Sequence, residues 1–424
     1  VKLNMKDHSK SEFTPFFRLA TSEALNTGSS STLFIAMPLI GITALDATSM
    51  EVGFVTAAGT AAPLVFGLSA GAMADRQDRC ALLFWCGVAR LLLIAILTLL
   101  LTLELMSIAL LCAVNFGLSI VKLLFDSVVS AVIPTVVRRD EVAKANSWFE
   151  ALNSTAYALG PAIAGWLLQA ASAVSVFALN ALLYLASSVC LRGVSLPPMP
   201  KPRYSHIADI AYGVRLLWRN EIQRTVAFST GAFNAFYAAF FTVFTFYALK
   251  HLDFDAASLG TVVSLVGLTG LAGALCIPGM LRMFGASTLM VGSFLLIGPL
   301  GIPITFAHHL EFPHRAVLIG ACLAAWEFMI VVHMILEQTM RQVMVENRHL
   351  SRMAATTRFV SWGADPIGAL LGGLAASSTL GCRGTLLICL LGFVVSGAVL
   401  LTSKGIRALK NEHVGFRDTR GETP

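Results

Sequence analysis

The chain is 424 residues long, 56% apolar and only 13% charged, with a mean hydropathy of +0.75 and a formal net charge of +6. That charged share is about half the value usual for soluble globular chains, which excludes a water-soluble multidomain protein, a disordered chain, a coiled coil and a secreted disulfide scaffold. An all-α polytopic membrane protein remains: at roughly 20 to 25 residues per span, twelve helices use about 240 to 300 residues and leave short loops.

Residues 1–18 are polar and the first apolar run is long enough to stay in a membrane, so no cleavable leader is expected. In chain order, apolar runs bounded by charge or by Pro and Gly predict spans at 18–43, 50–73, 81–103, 107–134, 147–170, 173–194, 226–249, 257–281, 286–306, 316–338, 354–378 and 384–403. Basic residues crowd both chain ends and alternate connections, such as Arg138, Arg139 and Lys144, or Arg341, Arg348 and Arg352. The opposite connections hold only Lys250, Arg315 and Arg383. This bias predicts both termini in the cytoplasm and a place in the inner (cytoplasmic) membrane. The positive charge is therefore topological, and no nucleic-acid partner is expected. The eight cysteines form no C-x-x-C pair and read as free thiols.

The spans fall six and six about a long central connection. We expect an N-terminal bundle at 1–195, a linker at 196–225, a C-terminal bundle at 226–405 and a cytoplasmic tail at 406–424. The linker opens with Pro197, Pro198, Pro200 and Pro202, which favour extended chain. It continues as an amphipathic segment, 207–224, with Ile210, Val214 and Leu217 on one side and Arg215 and Arg219 on another, the pattern of an interfacial helix. The halves repeat weakly at an offset near 205 to 208: Ala158-Leu159-Gly160-Pro161 matches Ala364-Asp365-Pro366, and Gly71-Ala72-Met73 matches Gly279-Met280-Leu281. Both halves run in the same direction. A parallel repeat of this kind implies two six-helix bundles with pseudo-two-fold symmetry and a binding cavity near the midplane.

The second connection within the first half reads Gly67-Leu68-Ser69-Ala70-Gly71-Ala72-Met73-Ala74-Asp75-Arg76-Gln77-Asp78-Arg79. It resembles the signature loop of the major facilitator superfamily, G-x-x-x-D-R-x-G-R-[RK], with Asp78 in place of the second glycine and Cys80 in place of the final basic residue. Gly71 lets helices approach closely. The resemblance implies that Gly71, Asp75, Arg76 and Arg79 form a conformational latch, with Asp75 facing the start of the eleventh helix, whose partial positive charge favours a carboxylate. The stretch Pro134–Ser147, the element Gly160-Pro161-Ala162-Ile163-Ala164-Gly165, Glu337–Gln342 and Asp365–Gly373 extend the likeness. Together they resemble the drug:proton antiporter branch that includes macrolide-efflux proteins and the enterobactin exporter. Gly160, Pro161 and Gly165 resemble that branch's helix-bend motif, with the last glycine one residue late. Pro161 removes a helix hydrogen bond, and the glycines thin the helix.

Charge inside a membrane is costly, so each instance marks a candidate site. Asn115, Ser119, Lys122 and Asp126 lie on one stripe of the fourth span, and Glu23, Asn26, Thr27 and Ser30 on one of the first. Tyr157 belongs to the fifth span, Trp326, Glu327, His333 and Glu337 to the tenth, and Arg358 and Asp365 to the eleventh. Glu23, Asp126 and Glu327 are the proton-coupling candidates. For Asp126 a structural ion pair with Arg79 or Lys122 is the alternative, and Arg90 reads as a buried partner or a substrate ligand. Asn26, Asn115, Lys122, Tyr157, Asn234, Tyr237, Trp326, His333 and Arg358 are the cavity or substrate candidates. The aromatic residues around Asn234 and Tyr237 either pack or line a pocket for a bulky amphipathic ligand. His308, His309 and His314 flank one loop, and no metal site is expected from them.

No Walker loop, nucleophile elbow or metal-ligand spacing is present in the sequence. The expectation is a monomeric, non-enzymatic carrier without a cofactor, driven by the proton gradient, whose partners are the lipid bilayer, protons and a small-molecule substrate. It would export an amphipathic drug or macrolide-like compound by alternating access. A dedicated siderophore or metabolite exporter and a non-transporting receptor on the same scaffold are the alternatives.

Overall fold

The computed structural model describes residues 8–76, 78–136, 142–192 and 206–411; within its helices, the side chains of 8–15, 70–76, 130–136, 142–151, 206–210, 271 and 347–351 lie outside the described set. Among the described residues every regular element is a helix. They are α1 (His8–Ala44), α2 (Ser49–Thr60), α3 (Ala62–Arg76), α4 (Arg79–Thr102), α5 (Ile108–Val136), α6 (Val142–Ala170), α7 (Ala173–Cys190), α8 (His206–Arg219), α9 (Glu221–His251), α10 (Ala256–Phe306), α11 (His314–Met344), α12 (Asn347–Trp362), α13 (Asp365–Ser377), α14 (Gly381–Leu400) and the short α15 (Lys404–Arg407). Ten described runs are long and apolar enough to cross a membrane. One of them, Ala256–His309, turns at Gly285, whose φ of 75° and ψ of 159° break α10 into two helices. Glycine alone takes that conformation cheaply. Counting α10 twice gives eleven; α6, 29 residues long, is not among these runs, so the described helices give about ten to twelve spans against the expected twelve.

Helix starts follow local chemistry. Thr48 and Glu51 form a reciprocal capping box at α2, Asp78 accepts the Ala81 N–H at 2.9 Å to open α4, and Asn220 accepts the Gln223 N–H at 3.1 Å to open α9. Before α10, Asp255 accepts bonds from the Ser258 N–H at 2.7 Å and the Gln169 amide at 2.8 Å. Partial desolvation would raise its pKa, but these donors outweigh it and hold the carboxyl below its ordinary range.

The chain divides into two compact units. The first comprises 1–45, 69–204 and 255–264; the second comprises 46–68, 205–254 and 265–424. In the first, α1 packs along α6 and α7 through hydroxyls and amides. Ser22 Oγ meets Ser187 Oγ at 2.7 Å, Ser29 donates to Asn180 Oδ1, and Thr27 donates to Asn153 Oδ1 at 3.1 Å. In the second, α9 is central and α13 rests on it. A Cβ at Gly368 would stand 1.9 Å from the Ala235 carbonyl oxygen, and one at Gly372 would stand 2.7 Å from Ala239 Cα. The next stripe of α13, one residue on, takes up α2: a Cβ at Gly53 would lie 2.9 Å from the Ala369 oxygen, and one at Gly373 would lie 2.7 Å from the Ser49 oxygen. The small residues thus let three backbones meet.

The Pro161 element is resolved in the first unit. Pro161 has no N–H for the carbonyl of Tyr157, and Ser31 Oγ donates to that carbonyl at 2.6 Å. Gly160 makes room for Ser31, because a Cβ there would stand 2.6 Å from the serine side chain. The neighbouring Ala162 N–H donates to Ser264 Oγ at 2.7 Å. Gly165 and Gly260 then bring α6 and the start of α10 together; a Cβ at either would lie 2.1 Å from the Ala256 oxygen or 2.3 Å from the Pro161 oxygen, respectively. Trp166 Nε1 donates to Thr261 Oγ1 at 3.1 Å beside this contact.

Because backbone rather than a flexible side chain opposes the new atom, Gly260→Val is expected to separate these helices, at a cost of about 1–3 kcal/mol. Cysteines at Trp166 and Thr261, joined by a short bifunctional reagent, would report it as a lower cross-linking yield in the valine variant. An unchanged yield would show that the contact admits a side chain.

Candidate functional site

The first unit gathers four ionisable side chains from three spans. Arg90, on α4, is 1% exposed. Its Nη1 donates to Asn26 Oδ1, and its guanidinium carbon lies 4.5 Å from the ring centre of Phe125 and 5.2 Å from that of Tyr184. These rings supply a cation–π environment in place of solvent. Asn26 is fixed in turn, since its Nδ2 donates to the Ser22 carbonyl at 2.9 Å and to Ser187 Oγ at 2.8 Å. Glu23, also on α1, is buried, and its Oε2 has no hydrogen-bond partner; neither has Arg90 Nη2. On α5, Lys122 Nζ and Asp126 Oδ2 pair at 2.5 Å, and their side chains keep 48% and 36% of their surface accessible. Asp126 therefore pairs with Lys122, one of its two expected partners. An accessible ion pair on a membrane-spanning helix and an enclosed Glu–Arg set stand in the same unit.

Arg79 opens α4 and is buried, with Nη2 unpartnered. Gly71, Asp75 and Arg76 fall in the last turns of α3, and their side chains lie outside the described residues. Asn115 is half-buried on α5, and Tyr157 is exposed on α6.

In the second unit Trp326 and His333 are enclosed rather than accessible. His333 stacks on Phe294 at 3.6 Å between ring centres, Phe294 stacks on Phe233 at 4.2 Å, and Trp326 meets Phe240 at 4.6 Å and Phe393 at 5.3 Å. Tyr237 joins this column through Phe233 at 5.9 Å. His333 Nδ1 reaches the Met290 carbonyl at 3.1 Å and Ser293 Oγ at 3.0 Å, while Nε2 has no partner. Glu327 is half-buried, and its carboxylate lies over Gly270, where a Cβ would come within 3.4 Å of Oε1. Glu337 accepts from Arg341 at 2.7 Å and from Thr230 at 2.9 Å. Asn234 donates to the Ser361 carbonyl at 3.0 Å, which spends its amide on holding α9 to α12. Arg358 is exposed, with its guanidinium 5.4 Å from the Trp362 ring centre. Among the described residues no three His, Cys, Asp or Glu side chains converge as metal ligands.

Sequence reasoning singled out Asn26, the partner of Arg90, but missed the α7 side of this set. Asn180, Tyr184 and Ser187 recur at i, i+4 and i+7, one polar stripe of α7 that faces α1 and α4.

The major facilitator superfamily model matches residues 19–364, most of the chain. The chain belongs to the major facilitator superfamily. It is 26% identical over 261 residues to the uncharacterized MFS-type transporter y4rN of Sinorhizobium fredii (strain NBRC 101917 / NGR234), a match covering 59% of this chain and 62% of that protein. Among solved structures it is similar to a bacterial homologue of the iron transporter ferroportin in an inward-facing state (TM-score 0.72, 14% identity, 92% of this chain and 98% of that one). It is also similar to the nucleoside transporter NupG (0.67, 12%, 92% and 99%) and to a D-xylose-proton symporter (0.68, 14%, 92% and 97%). At such identities these likenesses establish the fold. The chain thus belongs to a family of multi-pass membrane carriers.

The Arg90 environment makes a stability test. Asn26→Ala removes the acceptor of a buried guanidinium and is expected to cost about 1.5–3 kcal/mol. Ser187→Ala leaves Asn26 bonded to Ser22 and is expected to cost less. Thermal unfolding in detergent would rank them, and the reverse order would remove Asn26 as the keeper of Arg90.

Proposed function

We propose that this carrier is a secondary active exporter that exchanges protons for an amphipathic small molecule by alternating access, on the drug:proton antiporter branch. It would act as a monomer in the cytoplasmic membrane with both termini in the cytoplasm. One observation supports the reading above others: Glu23 is buried with a carboxylate oxygen that nothing bonds, in the same unit as Arg90. A buried unpaired carboxylate is costly when ionised and much less so when protonated. A conformational change that brought Arg90 Nη2 or Lys122 to it would reverse that preference. Proton uptake and release would then follow the transport cycle, with the accessible Lys122–Asp126 pair as the part open to ligand.

Proton coupling is named for one protein of the same fold, the D-xylose-proton symporter. The named cargoes of the structural neighbours range over iron, nucleoside and sugar, so the fold leaves the substrate open. A second reading is export of an anionic metabolite or siderophore. Arg358 is exposed beside Trp362 while Glu23 is buried, although Lys122 is balanced by the accessible Asp126.

Everted membrane vesicles carrying a preformed pH gradient test both readings. Macrolides, lipophilic cations and catecholates would be added in turn. We expect one class to collapse the gradient in the wild type and the response to fall about a hundredfold or more, the scale of a lost proton-transfer group, in Glu23→Gln at equal protein content. A wild-type response in Glu23→Gln removes that residue from coupling. Catecholates acting alone would favour the anionic reading.

A further inference from the structure

Among its described residues, 211–219, the helix that follows the proline-rich linker packs through one side. Its Gly213 lies against α12, where a Cβ would stand 2.5 Å from Thr356 Oγ1, and Leu217 sits in a small core with Ala227, Val345 and Met353. The opposite face, Tyr212, Arg215, Trp218 and Arg219, is exposed. Those positions recur at the helical period, so one strip of α8 presents the guanidinium groups of Arg215 and Arg219 alongside the amphipathic rings of Tyr212 and Trp218. A third guanidinium, Arg352 of α12, lies 5.2 Å from the Tyr212 ring centre. The nearby acid Glu221 is occupied at one oxygen by Ser403 Oγ at 2.8 Å.

The depth of this strip is set by a contact. The Trp218 ring lies 5.7 Å from that of Phe228, an exposed residue two turns into the membrane-spanning α9. In a bilayer spanned by α9 from its start, Trp218 would stand near the end of the hydrocarbon, where indole rings settle, with Arg215 and Arg219 on either side of it in sequence and within reach of the phosphates. Arg224 fixes the ring from behind: its Nη1 donates to the Trp218 carbonyl at 2.7 Å, and its guanidinium lies 5.7 Å from the indole.

We propose that the exposed strip of α8 is a binding site for the headgroup of an anionic phospholipid, with Arg215 and Arg219 on the phosphate and Trp218 against the acyl–glycerol boundary. Arginine suits this role because its planar fork matches phosphate oxygens. Since the opposite face of α8 is seated on α12, the bound lipid would be held beside a membrane-spanning helix of the carrier.

The full-length protein reconstituted in nanodiscs gives the test. Brominated phosphatidylglycerol or brominated phosphatidylcholine is included at equal fractions, and the Trp218 component is taken as the difference between wild type and Trp218→Phe. Stronger quenching by the anionic lipid is expected, with preference falling about fivefold per guanidinium removed in Arg215→Gln and Arg219→Gln. Equal quenching by both lipids in the wild type, or a preference that survives the double variant, overturns the site. Should the double variant fail to fold, 1 M salt serves the same purpose on the wild type. Screening at about 3 Å is expected to abolish the preference, and its persistence at that salt overturns the proposal.

Discussion

A helix inside hydrocarbon has no water to repair a broken hydrogen bond, so each interruption must be mended by a neighbour. That constraint organises the Pro161 region. The proline frees the Tyr157 carbonyl, and α1 supplies Ser31 to take it up. Ser31 reaches it only because residue 160 has no side chain. The proline, the glycine and the serine on a different helix are one device. One turn further on, Gly165 and Gly260 bring backbone against backbone.

Polar side chains in the first unit follow the same rule with greater consequence. Lipid tails give apolar side chains no reason to choose one helix over another, so hydrogen bonds and close packing must set the arrangement. The serines, threonines and asparagines of α1 find partners on α6 and α7. Once fixed, that lattice can hold a charge: Asn26 is positioned by Ser22 and Ser187 before it receives Arg90. A guanidinium with one edge bonded, two aromatic faces beside it and one nitrogen unspent is held in place without being fully satisfied.

The class of fold was legible in composition because a bilayer imposes length and apolarity on every span. The stripe on α5 was legible too: Lys122 and Asp126 are four residues apart on one helix, and a local spacing suffices to foresee their pair. Interhelical partners were not legible. Nothing in the spacing of α7 says that Tyr184 lies beside Arg90, since that depends on the rotation of two helices far apart in sequence. For the same reason Trp326 and His333, readable as polar marks on α11, are enclosed among phenylalanines from α9, α10 and α14. Chain order and packing also divide the molecule differently. Residues 46–68 are grouped with later helices and 255–264 with earlier ones, because small-residue faces choose the neighbours of α2 and α10.

The two units share a weak repeat yet carry different chemistry. Matching stretches put Gly160-Pro161 inside α6 and Asp365-Pro366 at the start of α13, so the same local pattern sits in the middle of one helix and begins another. In the first unit Glu23 and Arg90 each keep a buried polar atom without a partner. In the second, both oxygens of Glu337 are occupied, and aromatic stacking fills the space around His333. Stacked rings and saturated carboxylates resist rearrangement, because moving them loses contacts that nothing nearby replaces. Unspent hydrogen-bonding groups gain by rearranging, and among the described residues both units hold them: Glu23 and Arg90 on α1 and α4 of the first, and Trp326 Nε1 and His333 Nε2 within the aromatic column of the second. In the first unit they are charged groups in a polar lattice; in the second, the stacked rings around them oppose the same change.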